Sequence, residues 1–273
     1  MRLPIPCFDY AGNATRPPSL FDTMLAATTP IARSPLAKCV ILALATGAHY
    51  VSLRAPNARP TKDDKVYKGQ LFEYTVHALS LASKTTVMFF LLSECATILA
   101  LRFPDAPYAQ TVAAAMLPKD SSRAASLDVL STISLRFALG VSLMFASGAL
   151  RMWCYRTLGP LFTYEVAIKP THKLVTSGPY TFVRHPSYTA VGLMMVGAIT
   201  CVSAPQGYAN YSGFSSTALG GTWLWTWYVL SAFSLLSVVK RGRVEDDALK
   251  ARFGEEWNTY RDRVPYKFIP GLV

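Results

Sequence analysis

Charge is what this 273-residue sequence has least of. Asp, Glu, Lys and Arg make up 16% of it, against 51% hydrophobic residues, whereas a soluble domain ordinarily carries about 25% charged residues. The mean hydropathy is +0.26. So little solubilising surface excludes a disordered chain and argues against a soluble one. Cysteine is sparse as well. Cys7, Cys39, Cys95, Cys154 and Cys201 are odd in number and scattered, without a C-x-x-C pair, so no disulfide framework or zinc site follows. A G-x-G-x-x-G loop is missing, which disfavours a soluble Rossmann-type fold. The opening stretch holds Pro4, Pro6, Asp9, Arg16, Pro17 and Pro18 where a secretory signal would need an apolar core. It reads as an arm, leaving the first span to act as the targeting element.

What is present is apolar and in long runs. About 20 mostly apolar residues cross a bilayer as a helix. Five segments qualify: Pro35–Leu53, Lys84–Leu101, Ala125–Leu150, Ser187–Ala204 and Thr222–Val239. The expected fold is all-α, a polytopic integral membrane bundle of about five transmembrane helices. Residues 1–34 form a lumenal or interfacial arm, with 19–33 along the membrane surface; 35–150 hold the first spans, and 151–273 the last two, as a helical hairpin with a tail. Asp128 and Arg136 fall within the third span, so its polar face is expected to turn toward other helices or an interface.

The 27 Lys and Arg exceed the 16 Asp and Glu, for a net charge of +11. Nineteen of these basic residues fall on one side of the expected spans and seven on the other, with Arg136 inside a span. The positive-inside rule makes the richer side cytosolic, with a lumenal N-terminus and a cytosolic tail. The excess reads as topology and attraction to an anionic membrane surface. No zinc-finger, RNP-type or basic-helix pattern accompanies it, so no nucleic-acid partner is expected. Two N-x-S/T sequons, at Asn13 and Asn210, fall on the expected lumenal side.

Two constellations carry polar chemistry. Between the third and fourth spans, Thr171 to Tyr188 gathers His172, Lys173, Tyr180, Arg184, His185 and Tyr188 around the turn signal Gly178-Pro179. Pro186 suits the first turn of a helix, which would put Arg184 and His185 at a helix N-terminus whose free N–H groups suit an anionic ligand group. Arg-His at the end of a span is also an ordinary cytosolic marker, and Tyr180 and Tyr188 singly are ordinary interfacial residues. His172 and His185 lack a carboxylate or thiol at supporting spacing, so no metal is expected. The second constellation is the tail. Leu249, Phe253, Trp257 and Tyr260 recur at the spacing of one amphipathic helix, and Arg241 and Glu245, four apart, share a face directly after the last span.

His172-Lys-Leu-Val-Thr-Ser-Gly-Pro-Tyr180, followed by Val183-Arg-His-Pro-Ser-Tyr188, resembles the signature of the isoprenylcysteine carboxyl methyltransferases. Glu245-Asp246, Leu249, Phe253-Gly-Glu-Glu-Trp257, Tyr260 and Arg263-Val-Pro265 resemble the C-terminal motif of the same family. The resemblance covers residues 150–273. It implies an endoplasmic reticulum enzyme that uses S-adenosylmethionine to methylate the C-terminal carboxylate of prenylcysteine on processed CaaX proteins, with the tail as a cofactor-binding cap. His172, Lys173, Leu174, Val175, Tyr180, His185, Pro186, Ser187, Tyr188 and Glu245 would line the cofactor pocket. Arg241 would hold the substrate carboxylate, so that Arg241 and Glu245 carry the chemistry. The sequence departs from the family in having Glu245-Asp246 for Glu-Glu, and Ala167 or Glu165 where animal members have a glutamine.

The residues suit that chemistry. An α-carboxyl, with a pKa of about 3.5, is already ionised at neutral pH and needs no general base. The protein has to desolvate and aim it, and an arginine can hold it bidentately. The competing readings are a phospholipid amine methyltransferase, a sterol reductase, which shares an R-H-P motif, and a non-catalytic membrane scaffold.

Overall fold

The computed structural model describes residues 30–57, 65–66, 71–119, 121–164, 167–168 and 172–272. Residues 1–29 of the expected arm, Asn13 among them, lie outside them. The chain runs β1 (Pro30–Arg33), α1 (Pro35–Ser52), β2 (Lys65–Val66), α2 (Leu71–Arg102), α3 (Ala109–Met116), α4 (Arg123–Leu130), β3 (Thr132–Ser134) and α5 (Leu135–Leu158). It continues through β4 (Ala167–Ile168), α6 (Pro186–Val202), α7 (Tyr208–Tyr211), α8 (Ala218–Phe253) and α9 (Glu255–Arg263). The architecture is the all-α membrane bundle expected. Helices α1, α2, α5 and α8 are long and apolar enough to cross a membrane, while α6, at 17 residues, is shorter.

Three expected boundaries are corrected. The third span does not start at Ala125. Ser134, in extended conformation, caps a new helix by accepting from the Phe137 N–H at 3.2 Å. Just before it, Thr132–Ser134 pairs antiparallel with Pro30–Arg33, so part of the 19–33 stretch is strand. Asp128 therefore lies outside the span, in a surface ion pair with Arg33 at 3.0 Å. Arg136 turns toward α6 as expected, donating to the Ser203 hydroxyl at 2.6 Å. The second span begins earlier, because Leu71–Ser83 contains no helix breaker and its polar residues Glu73, Ser80 and Ser83 face inward. The amphipathic tail is two helices, since Gly254, at φ +54, ends α8 with its N–H on the Lys250 carbonyl at 2.9 Å. Leu249 and Phe253 thus belong to α8, and Trp257 and Tyr260 to α9.

Helix packing follows residue size. At Gly197 an added Cβ would lie 2.6 Å from the Gly140 carbonyl oxygen, so the backbones of α5 and α6 meet as small residues in membrane helices allow. Leu42, Val87, Ile98, Met144, Met194 and Trp227 fill the centre of the bundle. At one end the buried Lys38 pairs with Glu94 at 2.7 Å, joining the start of α1 to the end of α2. The C-terminal ends of α1, α5 and α8 meet the N-terminal ends of α2 and α6 at the other end, around one cavity. Side chains satisfy the closing carbonyls of α1 there: Ser80 donates to Leu53 at 2.8 Å, and Tyr155 to Ser52 at 3.1 Å and Arg54 at 2.9 Å.

Candidate active site

The cavity encloses about 1300 Å³, the open volume at its mouth included. Its polar end is lined by His172, Tyr180, Arg184, His185, Ser187, Tyr188, Arg241, Glu245 and Arg151, and its apolar part by Phe72, Val76, Leu79, Val191, Met195 and Val238. The two sequence constellations thus share one space. Leu174 and Val175 also line it, as does Ala167, one of the two positions named for the family's glutamine; Glu165, the other, lies outside the described residues. Two expected residues do not line it. Lys173 is exposed, and Pro186 is buried as the first residue of α6.

The turn before α6 is set by Gly178. Its φ is +60, and a Cβ there would lie 2.8 Å from the Thr157 hydroxyl oxygen and 3.2 Å from the Trp153 indole nitrogen, so glycine is required both for conformation and for room. The 3-10 turn Gly178–Thr181 buries Tyr180, whose carbonyl accepts from the Tyr260 hydroxyl at 2.9 Å. Burial pushes the Tyr180 phenol well above its usual pKa, with Cys154 and Glu245 adding to the effect, and burial raises Tyr164 and Tyr260 too. All three are neutral hydrogen-bond donors near pH 7.

The α6 N-terminus is only in part open to an anion, since Pro186 carries no N–H and the Tyr188 amide bonds the His185 carbonyl at 3.0 Å. The Arg184 and His185 amides donate to the Tyr266 and Lys267 carbonyls at 2.9 and 2.8 Å, so a strap after α9 has taken them. Side chains fasten the strap. Arg184 Nη1 donates to the Val264 and Pro265 carbonyls at 2.8 and 2.7 Å, and Thr189 donates to the Phe268 carbonyl at 2.6 Å. Asp246 sits at the junction, 2.9 Å from His185 Nε2, 3.3 Å from Arg184 Nη2 and 3.2 Å from Lys267 Nζ. Asp246, Arg184 and His185 hold the C-terminal cap on the first turn of α6.

A second relay faces the cavity. Arg241 Nη1 pairs with the buried Glu73 carboxylate at 3.1 Å, its Nε donates to the Tyr188 hydroxyl at 2.8 Å, and its Nη2 donates to the Tyr164 carbonyl. The Tyr188 hydroxyl donates in turn to Glu245 at 2.5 Å, and His185 Nδ1 lies 3.6 Å from the same carboxylate. His185 also stacks on Tyr188, with ring centroids 5.4 Å apart. Glu73 and Tyr164 belong to neither sequence constellation, and Arg151 enters there only as a topological charge. Arg151 did carry one signal: a charge directly at the end of an apolar run.

The sequence model of the isoprenylcysteine carboxyl methyltransferase family matches residues 138–211, from α5 through the His172–Tyr188 motif to α7. Protein-S-isoprenylcysteine O-methyltransferase B of Arabidopsis thaliana is 28% identical over 128 residues, 46% of this chain and 55% of that protein. The chain spans about half the length of the curated relative it matches. With the cavity wall from α5 to α6 inside the matched stretch, the resemblance carried by the motif is a resemblance to the isoprenylcysteine carboxyl methyltransferase family.

Proposed function

We propose that this protein methylates the C-terminal α-carboxylate of prenylcysteine on processed CaaX-type proteins, with S-adenosylmethionine as methyl donor. One observation carries the reading: a single cavity joins a polar end, built from both motifs, to an apolar wall between helices. Along α8 its lining extends from Glu245 back to Ser234, about 16 Å at the rise of an α-helix. Such an arm suits an isoprenoid chain, each buried CH₂ of which contributes about 0.8 kcal/mol.

The polar end fits the proposed cofactor by donor chemistry. Tyr180, His172, Leu174 and Val175 offer aromatic and apolar surface for a purine, and Glu245 a carboxylate for an ammonium or hydroxyl group. Bound there, S-adenosylmethionine supplies an electrophilic methyl group on a sulfonium. The work left to this chain is to strip water from a carboxylate that is already ionised and to hold one of its oxygens in line. Arg241, on the cavity wall, is the proposed carboxylate partner, with Tyr188 and Glu73 fixing its guanidinium.

The proposed setting is the endoplasmic reticulum membrane, with the cavity end cytosolic, as the excess of Lys and Arg at that end favours. Membranes containing the protein, labelled S-adenosylmethionine and a farnesylcysteine analogue should yield a base-labile methyl ester. Methylation of phosphatidylethanolamine in its place would transfer the protein to the lipid-modifying reading, and cofactor binding without transfer to the scaffold reading.

A further inference from the structure

Four Lys and Arg side chains are buried among the described residues: Lys38, Arg151, Arg184 and Arg241. Three face a carboxylate, Lys38 that of Glu94, Arg184 that of Asp246 and Arg241 that of Glu73. Arg151 does not. It is 2% exposed, lines the cavity near the end of α5, and its partners among the described residues are neutral. Its Nε donates to the Ser52 carbonyl at 2.9 Å, its Nη1 to the Ser187 hydroxyl and, at 3.5 Å, to the Ser187 carbonyl. The guanidinium lies 5.0 and 4.9 Å from the Tyr155 and Phe162 ring centres.

Burying a guanidinium without a counter-charge costs more than neutral acceptors return. Holding α1 against α5 does not need that charge, since the neutral Tyr155 hydroxyl, also on α5, already donates to the same Ser52 carbonyl. Ionisable groups at membrane depth with no internal partner mark the place of a charged ligand. We propose that Arg151 is an anion-binding residue of the cavity and takes the carboxylate of a bound ligand, its planar fork gripping both oxygens. The inference rests on the methyl-transfer reading, which offers two carboxylates: the one methylated, and the amino-acid carboxylate of the cofactor. Arg241, proposed for the methylated carboxylate, already has a charged partner in Glu73, so Arg151 either shares that carboxylate or takes the other.

Two pairs of ligands test this on wild type, Arg151→Gln and Arg151→Lys in nanodiscs. The first pair is farnesylcysteine and its carboxamide; the second is S-adenosylhomocysteine and its decarboxylated analogue. Wild type should prefer the acid of at least one pair by about tenfold or more. Arg151→Gln should lose that preference while binding the neutral analogue as wild type does, which no merely structural role would produce, and Arg151→Lys should keep part of it. The pair that loses its preference identifies the carboxylate. Unchanged preferences on both pairs, in whichever of the two variants folds, overturn the proposal and leave the methyl-transfer reading standing. Failure of wild type to bind either pair overturns both.

Discussion

The Tyr188 hydroxyl stands between Arg241 and Glu245, accepting from the guanidinium at 2.8 Å and donating to the carboxylate at 2.5 Å. One oxygen therefore couples the residue proposed to meet the substrate with the residue proposed to meet the cofactor. Tyr188→Phe removes that oxygen and keeps the ring stacked on His185. Methyl transfer should fall about tenfold in kcat/KM with the melting temperature nearly unchanged; retention of full activity would show that the coupling is idle.

Arg241→Ala and Glu245→Ala should separate the two substrates. The first should chiefly raise KM for the prenyl substrate, the second KM for the cofactor. Equal losses on both in each variant contradict the division of roles.

Glu73 is the buried counter-charge of Arg241, and removing one partner of such a pair costs about 3–5 kcal/mol. Glu73→Gln should therefore melt well below wild type in detergent. Combining it with Arg241→Met should recover most of the lost stability without recovering activity.

Asp246 gathers His185, Arg184 and Lys267. Asp246→Ala should release the strap, and trypsin should then cut at Arg263 and Lys267 faster than in wild type. An unaltered digestion pattern would assign the hold to the backbone bonds alone.

Gly178→Ala forces an L side chain to positive φ, at a cost of about 1–2 kcal/mol, and into the Thr157 hydroxyl. A lower melting temperature and a weaker grip on the cofactor should appear together, since Tyr180 is set by the same turn.

The sequence made the site more legible than the chain's course through the membrane. Nine of the eleven expected site residues line one cavity, because each motif is short and chemically dense and flanks an apolar run that brings it to the same end of the bundle. Glu73 could not be read. Its partner Arg241 lies 168 residues away, beyond the reach of any local period, and on the sequence it is one acid in a mildly polar stretch. Asp128 falls inside the expected span because the apolar run continues across Ser131–Ser134, where a cap and a strand pairing, both matters of geometry, interrupt the helix. Gly254 was likewise hidden beneath a spacing that suits a single helix, although its positive φ is what a glycine there permits. The turn before α6 was hidden for a different reason: the Arg184 and His185 amides are spent on a strap that comes from the far end of the chain.

Helix α8 carries no break from Ala218 to Phe253, so its apolar length and its polar end share one rotational phase. A single residue inserted within α8 before Lys240 would turn Arg241 and Glu245 about 100° around the axis relative to the span and swing both off the cavity wall. The lipid-buried length of α8 is thus a spacer whose residue count matters as much as its hydrophobicity.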